Sequence, residues 1–209
     1  MSAQAARDGH HPRPGGNLHD LVLRMVPREA GKVLDAASGD GYVAQQMRGM
    51  GFAVTCADIH FDANFPIPDP VVADFNEKLP FGDEQFDGVV SVETIEHIEN
   101  PWLFTRELAR VTRPGGFVVI STPNTGNLQS RLLMLLEARP AWFRPHHIDP
   151  LGHITPIFSH LIAEMAQRAG LMPDGRAYSW ARIPRTMKRL PVTNELVGEC
   201  AVRRYRKRS

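Results

Sequence analysis

The stretch Ser91-Val-Glu-Thr-Ile-Glu-His-Ile-Glu-Asn-Pro gathers the side chains best suited to chemistry. Glu93, Glu96 and His97 stand at i, i+3 and i+4. A helical turn here would project two carboxylates and an imidazole from one face. Carboxylates that close are costly without a cation, and this donor set suits a divalent metal such as Mg, Mn, Fe or Zn. Without a metal, His97 is positioned by its chemistry to act as general base towards an oxygen nucleophile. A second group of acids and glycines, Asp35, Gly39, Gly41, Asp58 and Asp74, lies upstream.

The elements that must position these groups alternate in type. Asn17 is placed to cap a first helix carrying Leu18, Leu21, Val22, Met25 and Val26, which Pro27 interrupts. Lys32–Ala37 reads as a buried parallel strand, and Ser38-Gly39-Asp40-Gly41 turns the chain into a helix over 42–50. Further strands are predicted over 54–59, 71–74, 86–92 and 117–122. A helix follows Asn100-Pro101, with Pro at its first position, and ends at Arg113-Pro-Gly-Gly. Strands alternating with helices predict a doubly wound, mostly parallel α/β sheet. Residues 123–157 break that rhythm with one helix, near 128–138, and a Pro- and His-rich stretch. Such a long excursion predicts a functional lid. A helix over 158–169 and closing strands over 177–182 and 196–204 complete the chain, the last strand lying towards a sheet edge. Residues 17–209 read as one domain, preceded by a flexible leader over 1–16.

In doubly wound sheets, ligands bind at the carboxyl ends of the strands, beside the switch in strand order. That rim is predicted to carry Asp35, Gly39 and Gly41 after strand one, Asp58 after strand two, Asp74 after strand three and Glu93 after strand four. Asp58 falls about twenty residues beyond the strand-one acid and glycines, where a carboxylate can bind both hydroxyls of a ribose. The turn lacks the G-x-G-x-x-G spacing that favours a dinucleotide, and Asp35 suits a cationic ligand better than a phosphate.

Val33-Leu-Asp-Ala-Ala-Ser-Gly-Asp-Gly resembles the first motif of class I S-adenosylmethionine-dependent methyltransferases. The resemblance runs from Lys32 to Gly170 and, by the order of elements, to the C-terminus. It implies a seven-stranded sheet and S-adenosyl-L-methionine as cofactor. Asp35, Ala37, Gly39 and Gly41 would line its methionine part, Asp58 and Ile59 its ribose, and Asp74 with Phe75 its adenine. Val92 and Glu93 would close the cofactor site. Ala37 and Ser38 replace the usual glycine and cysteine, which predicts crowding rather than loss of binding. The Glu-x-x-Glu-His pattern is similar to that of quinone-biosynthesis O-methyltransferases and of small-RNA 3′-terminal 2′-O-methyltransferases, whose metal is held by two Glu and two His. The implied ligand set is Glu93, Glu96, His97 and His153, with His146 and His147 in reserve. The sequence after His153 lacks the aromatic-rich continuation of the RNA group. Many small-molecule members carry Glu-His here without a metal, Glu96 and His97 then being the catalytic pair.

The segment after strand five, Ser121–Arg131, resembles that of methyltransferases acting on glycans, lipids and secondary metabolites. Asn124 and Arg131 are the expected contacts to a polar acceptor. Leu132–Leu136 are expected to pack a lid helix onto the body, under cover of Trp142 and Phe143.

Composition constrains partners. The net charge of +1 is a cancellation: residues 176–209 hold ten Lys/Arg and two Asp/Glu, and the rest holds fourteen against twenty-one. The basic end reads as a solvated edge strand whose charges block sheet-to-sheet pairing. Its other readings are weak contact with an anionic membrane surface or attraction to RNA, and Tyr205 is the only aromatic within the Arg203–Arg208 cluster for stacking. The expected acceptor is therefore a small molecule, glycan or lipid rather than a nucleic acid. Two cysteines and no apolar leader predict a cytoplasmic protein without a disulfide framework.

Overall fold

The computed structural model describes residues 17–29, 31–143, 152–183 and 188–209, so the predicted leader lies outside the described residues. Its central sheet contains β1 (Lys32–Ala36), β2 (Ala53–Asp58), β3 (Val71–Val72), β4 (Phe86–Val92), β5 (Thr112–Pro123), β6 (Leu171–Tyr178) and β9 (Cys200–Lys207). Two short strands, β7 (Ala181–Arg182) and β8 (Arg189–Leu190), pair separately. The seven strands run in the order β3-β2-β1-β4-β5-β9-β6, all parallel except β9, which is antiparallel to both neighbours. The strand order reverses between β1 and β4, which opens a crevice at their carboxyl ends.

Helices cover both faces. On one side α1 (Leu18–Met25) and α2 (Tyr42–Gly49) bring Leu18, Val22 and Met47 against Val33, Val119 and Val202. On the other, α3 (Pro101–Val111) and α5 (Ser159–Arg168) bury Phe104, Leu108, Ile162 and Met165 against Leu34, Ile120 and Tyr205. Two buried faces explain why the strands are near-continuous apolar runs rather than alternating ones. The start of α3 is built as its residues dictate: Asn100 accepts a hydrogen bond from the Leu103 amide at 3.0 Å, and Pro101 opens the helix.

Three expectations need correction. Asn17 does not cap α1; its Oδ1 accepts from the Trp180 amide at 2.9 Å and ties the helix start to the far end of the sheet. The closing strands span Leu171–Tyr178 and Cys200–Lys207 rather than 177–182 and 196–204, and the second lies between β5 and β6 instead of at the edge. Its basic side chains bond protein groups. Arg203 donates to Ser159 Oγ at 2.7 Å, Arg206 to the Gly115 carbonyl at 3.0 Å and Lys207 to the Thr112 carbonyl at 2.7 Å. Finally, Arg113-Pro-Gly-Gly is not a free turn but the first part of β5, where the pairing register with β4 shifts.

Candidate active site

The crevice rim is built by the segments that leave β1, β2 and β3. Asp35 is 2% exposed, and its Oδ2 meets no hydrogen-bond donor among the described residues. Burial, reinforced by Asp58 and Asp40, lifts its pKa to about 7. The Ala44 amide offsets this in part, and the buried oxygen left without a donor is matched to a cation. Asp58 fastens the glycine turn, accepting from the Gly39 amide at 2.8 Å and from the Ile59 amide at 2.7 Å. Gly41 has φ +76°, and a Cβ there would lie 3.0 Å from the Phe65 ring and from Pro66, so only glycine fits. Ala37 also adopts a left-handed conformation, φ +63°. For a residue with a Cβ that costs about 1–2 kcal/mol. The departure from glycine at this position is thus expressed as backbone strain.

Asp74 is exposed just beyond β3 and accepts from the Asn76 amide at 2.8 Å. Phe75 turns into the core, its ring 5.8 Å from that of Phe104. Ile59 is exposed on the rim and Val92 half-buried at the end of β4.

The three reactive groups after β4 do not share a helical face. Glu93 has φ +51° and precedes a single 3-10 turn, Ile95–His97. Its amide donates to Ser121 Oγ at 3.0 Å. Its carboxylate accepts from Ser121 Oγ at 3.2 Å and from the Cys200 thiol at 3.3 Å. Burial pushes its pKa up to about 7. Glu96 is fully buried; Oε2 accepts from Thr122 Oγ1 at 2.9 Å, while Oε1 has no partner among the described residues. Burial first, and then the charge of Glu93, hold the Glu96 carboxyl well above the usual range.

Glu96, His97 and His153 converge, with candidate ligand atoms all within 4.8 Å of one another. The two imidazole rings meet edge to face at 4.7 Å, and Phe143 lies 5.5 Å from His153. The predicted four-ligand set is therefore reduced to three, because Glu93 is turned towards Ser121 and Cys200. His146 and His147 lie outside the described residues. The segment bearing His153 is sewn to the 3-10 turn. The amides of Ile154 and Thr155 donate to the Glu96 carbonyl at 2.9 and 3.0 Å, and Thr155 Oγ1 donates to the Ile98 carbonyl at 2.8 Å.

The expected acceptor contacts fare differently. Asn124 is buried and donates to the carbonyls of Glu195 and Gly198 at 2.8 and 3.0 Å. It clamps two loops and presents nothing to an acceptor. Arg131 is exposed on α4 (Leu128–Glu137), with Nε donating to the Gly126 carbonyl at 2.7 Å. That helix does not pack onto the body: Ser130 is its only buried residue. Trp142 lies under the Arg182 guanidinium at 4.8 Å.

Comparison with known proteins decides the family. The sequence pattern of a methyltransferase domain matches residues 10–173. The chain belongs to the class I S-adenosylmethionine-dependent methyltransferases. A malonyl-[acyl-carrier protein] O-methyltransferase of Erwinia pyrifoliae is 33% identical over 143 residues, covering 66% of this chain and 52% of the relative. The mitochondrial ubiquinone biosynthesis O-methyltransferase of Arabidopsis thaliana is 36% identical over 110 residues, covering 47% and 34%. The chain thus spans about half and about a third of the length of these curated relatives. The fold is shared with the 1,6-didemethyltoxoflavin-N1-methyltransferase of Burkholderia thailandensis, solved with S-adenosylhomocysteine. Its TM-score is 0.64 at 16% identity, over 99% of this chain and 85% of that one.

In this methyltransferase several polar neighbours of the site carried no sequence signal. Thr122 and Cys200 reach Glu96 and Glu93 because β5 pairs with both β4 and β9. Asn127 caps α4, its Oδ1 accepting from the Ser130 amide at 2.8 Å.

Proposed function

We propose that this methyltransferase moves the methyl group of S-adenosylmethionine to an oxygen of a small-molecule, sugar or lipid-like acceptor, with His97 as general base. The observation that carries this reading is the convergence of Glu96, His97 and His153 at the end of β4, next to the cofactor rim. An acceptor hydroxyl approaching there would lose its proton to His97 while its oxygen attacks the methyl carbon. The carbon–sulfur bond breaks and its electron pair returns to sulfur, giving S-adenosylhomocysteine. The rim residues would be Asp35 with the glycine turn for the methionine part, Asp58 for the ribose, and Asp74 with the Phe75 backbone for the adenine. Two relatives of this chain are named as O-methyltransferases, which supports oxygen as the acceptor atom.

A divalent cation is a second reading, favoured by Glu96 Oε1, a buried carboxylate oxygen that has no donor among the described residues and lies beside two imidazoles. Glu96, His97 and His153 would hold it, and such a cation lowers the pKa of a bound hydroxyl. Metal analysis of protein purified without chelator, repeated on Glu96→Gln, separates the readings. Metal at one equivalent, lost in the variant, favours the cation.

The base is tested with His97→Ala on a panel of phenols, sugars and hydroxy acids. Turnover should fall about 10²–10⁴-fold, the range that general bases contribute. Affinity for S-adenosylhomocysteine should change less than about twofold. Full turnover by the variant would remove His97 from the chemistry.

A further inference from the structure

On one helix of the methyltransferase, four leucines face outwards together. On α4, Leu128 and Leu132 are each 55% exposed, Leu135 82% and Leu136 69%. Their i, i+4, i+7 and i+8 spacing makes a stripe that faces solvent, while the opposite side carries the buried Ser130. The stripe is extended by the hairpin that β7 and β8 form. The Leu128 amide donates to the Leu196 carbonyl at 2.7 Å, and the Ala181 amide donates to the Val192 carbonyl at 3.1 Å. Leu190, Val192 and Leu196 are themselves exposed, as is Trp180. A continuous apolar patch of this kind marks an interaction surface.

Its charge decides between partners. The described residues of 128–143 and 176–199 carry six Lys/Arg against three Asp/Glu. Arg131 and Arg139 flank the leucine stripe directly, whereas Arg189 and Arg182 on the neighbouring hairpin are paired with Glu199 at 2.9 and 3.4 Å. Apolar side chains in the middle with cations around them match the interface of an anionic bilayer, where leucines enter the acyl boundary and guanidinia meet headgroup phosphates. The ten residues of α4 span roughly 15 Å at 1.5 Å per residue. None of the described helices is long and apolar enough to cross a membrane, so α4 would lie in the membrane plane.

We propose that α4 and the β7–β8 hairpin form a docking surface for anionic lipid membranes. This goes beyond the proposed function and does not rest on it. Because α4 follows β5 directly, docking would set the mouth of the catalytic crevice against the bilayer surface.

The test is co-sedimentation of the full chain with phosphatidylcholine vesicles with and without phosphatidylglycerol, at low and high salt. Wild type should bind the anionic vesicles, with salt weakening the binding. The Leu132→Ser/Leu135→Ser/Leu136→Ser variant should lose at least about tenfold in vesicle affinity, since three leucines leave the acyl boundary. Its affinity for S-adenosylhomocysteine, unchanged from wild type, reports that it is folded. If the folded variant binds vesicles as wild type does, or if wild type ignores phosphatidylglycerol, the proposal is overturned. Sedimentation velocity supplies a further check. A wild-type dimer that the same substitutions make monomeric would assign the stripe to contact between copies and overturn the membrane assignment.

Discussion

Asp35 and Glu93 are two acids at the cofactor crevice whose pKa values burial lifts to about 7. An acid raised in the folded state holds its proton there while the unfolded chain has lost it. The protein without ligand should therefore lose stability as pH rises from about 4 through about 7. A cation in the crevice reverses the preference, because it favours the ionised forms. Affinity for S-adenosylhomocysteine, whose amino group is cationic, should rise by about tenfold in total between pH 6 and 8 if one proton with a pKa of about 7 is released. Asp35→Asn should bind more weakly and flatten that slope. A wild-type affinity independent of pH would refute the role of Asp35. The left-handed backbones at Ala37 and Glu93 belong to the same picture, since both strained residues line the site rather than the core.

Among elements, the return segment Gly152–Thr155 matters most, because it holds His153 against the 3-10 turn through two amides on the Glu96 carbonyl. Gly152 has φ +66°, and a Cβ there would stand 3.3 Å from His97 Nδ1. Gly152→Ala should displace the imidazole and lower turnover about tenfold or more, with little change in cofactor affinity. A changed pH–rate profile would distinguish this from simple loss of folded protein. Unchanged turnover would mean that the segment does not position His97. The alternation of strands and helices was legible because buried parallel strands and capped helices leave strong local signals, such as Asn100-Pro101. The site was legible only as far as local spacing reaches. Glu93 was assigned to a helical face that its φ of +51° forbids. Asn124 looked like an acceptor contact because nothing local announces the carbonyls of Glu195 and Gly198, some seventy residues away. The apolar pattern of α4 was visible, but a stripe of leucines does not say whether anything covers it.

At the scale of the whole molecule, the near-zero net charge conceals a division of labour. The acidic body supplies the rim carboxylates Asp35, Asp58 and Asp74. The basic end is divided again: β9 runs through the sheet and bonds its cations to the body, while before it Arg189 pairs with Glu199 beside the exposed Leu190 and Val192. Why β9 is interior could not be read locally, since an antiparallel strand inserted between β5 and β6 is a property of topology. The most direct test of the account is titration calorimetry of S-adenosylhomocysteine into the wild type and Asp58→Ala. One site per chain is expected, with affinity at least about tenfold weaker in the variant, because the proposed ribose contact and the tether of the glycine turn are both lost. No heat of binding from folded wild-type protein, or equal affinity in the two proteins, would contradict it.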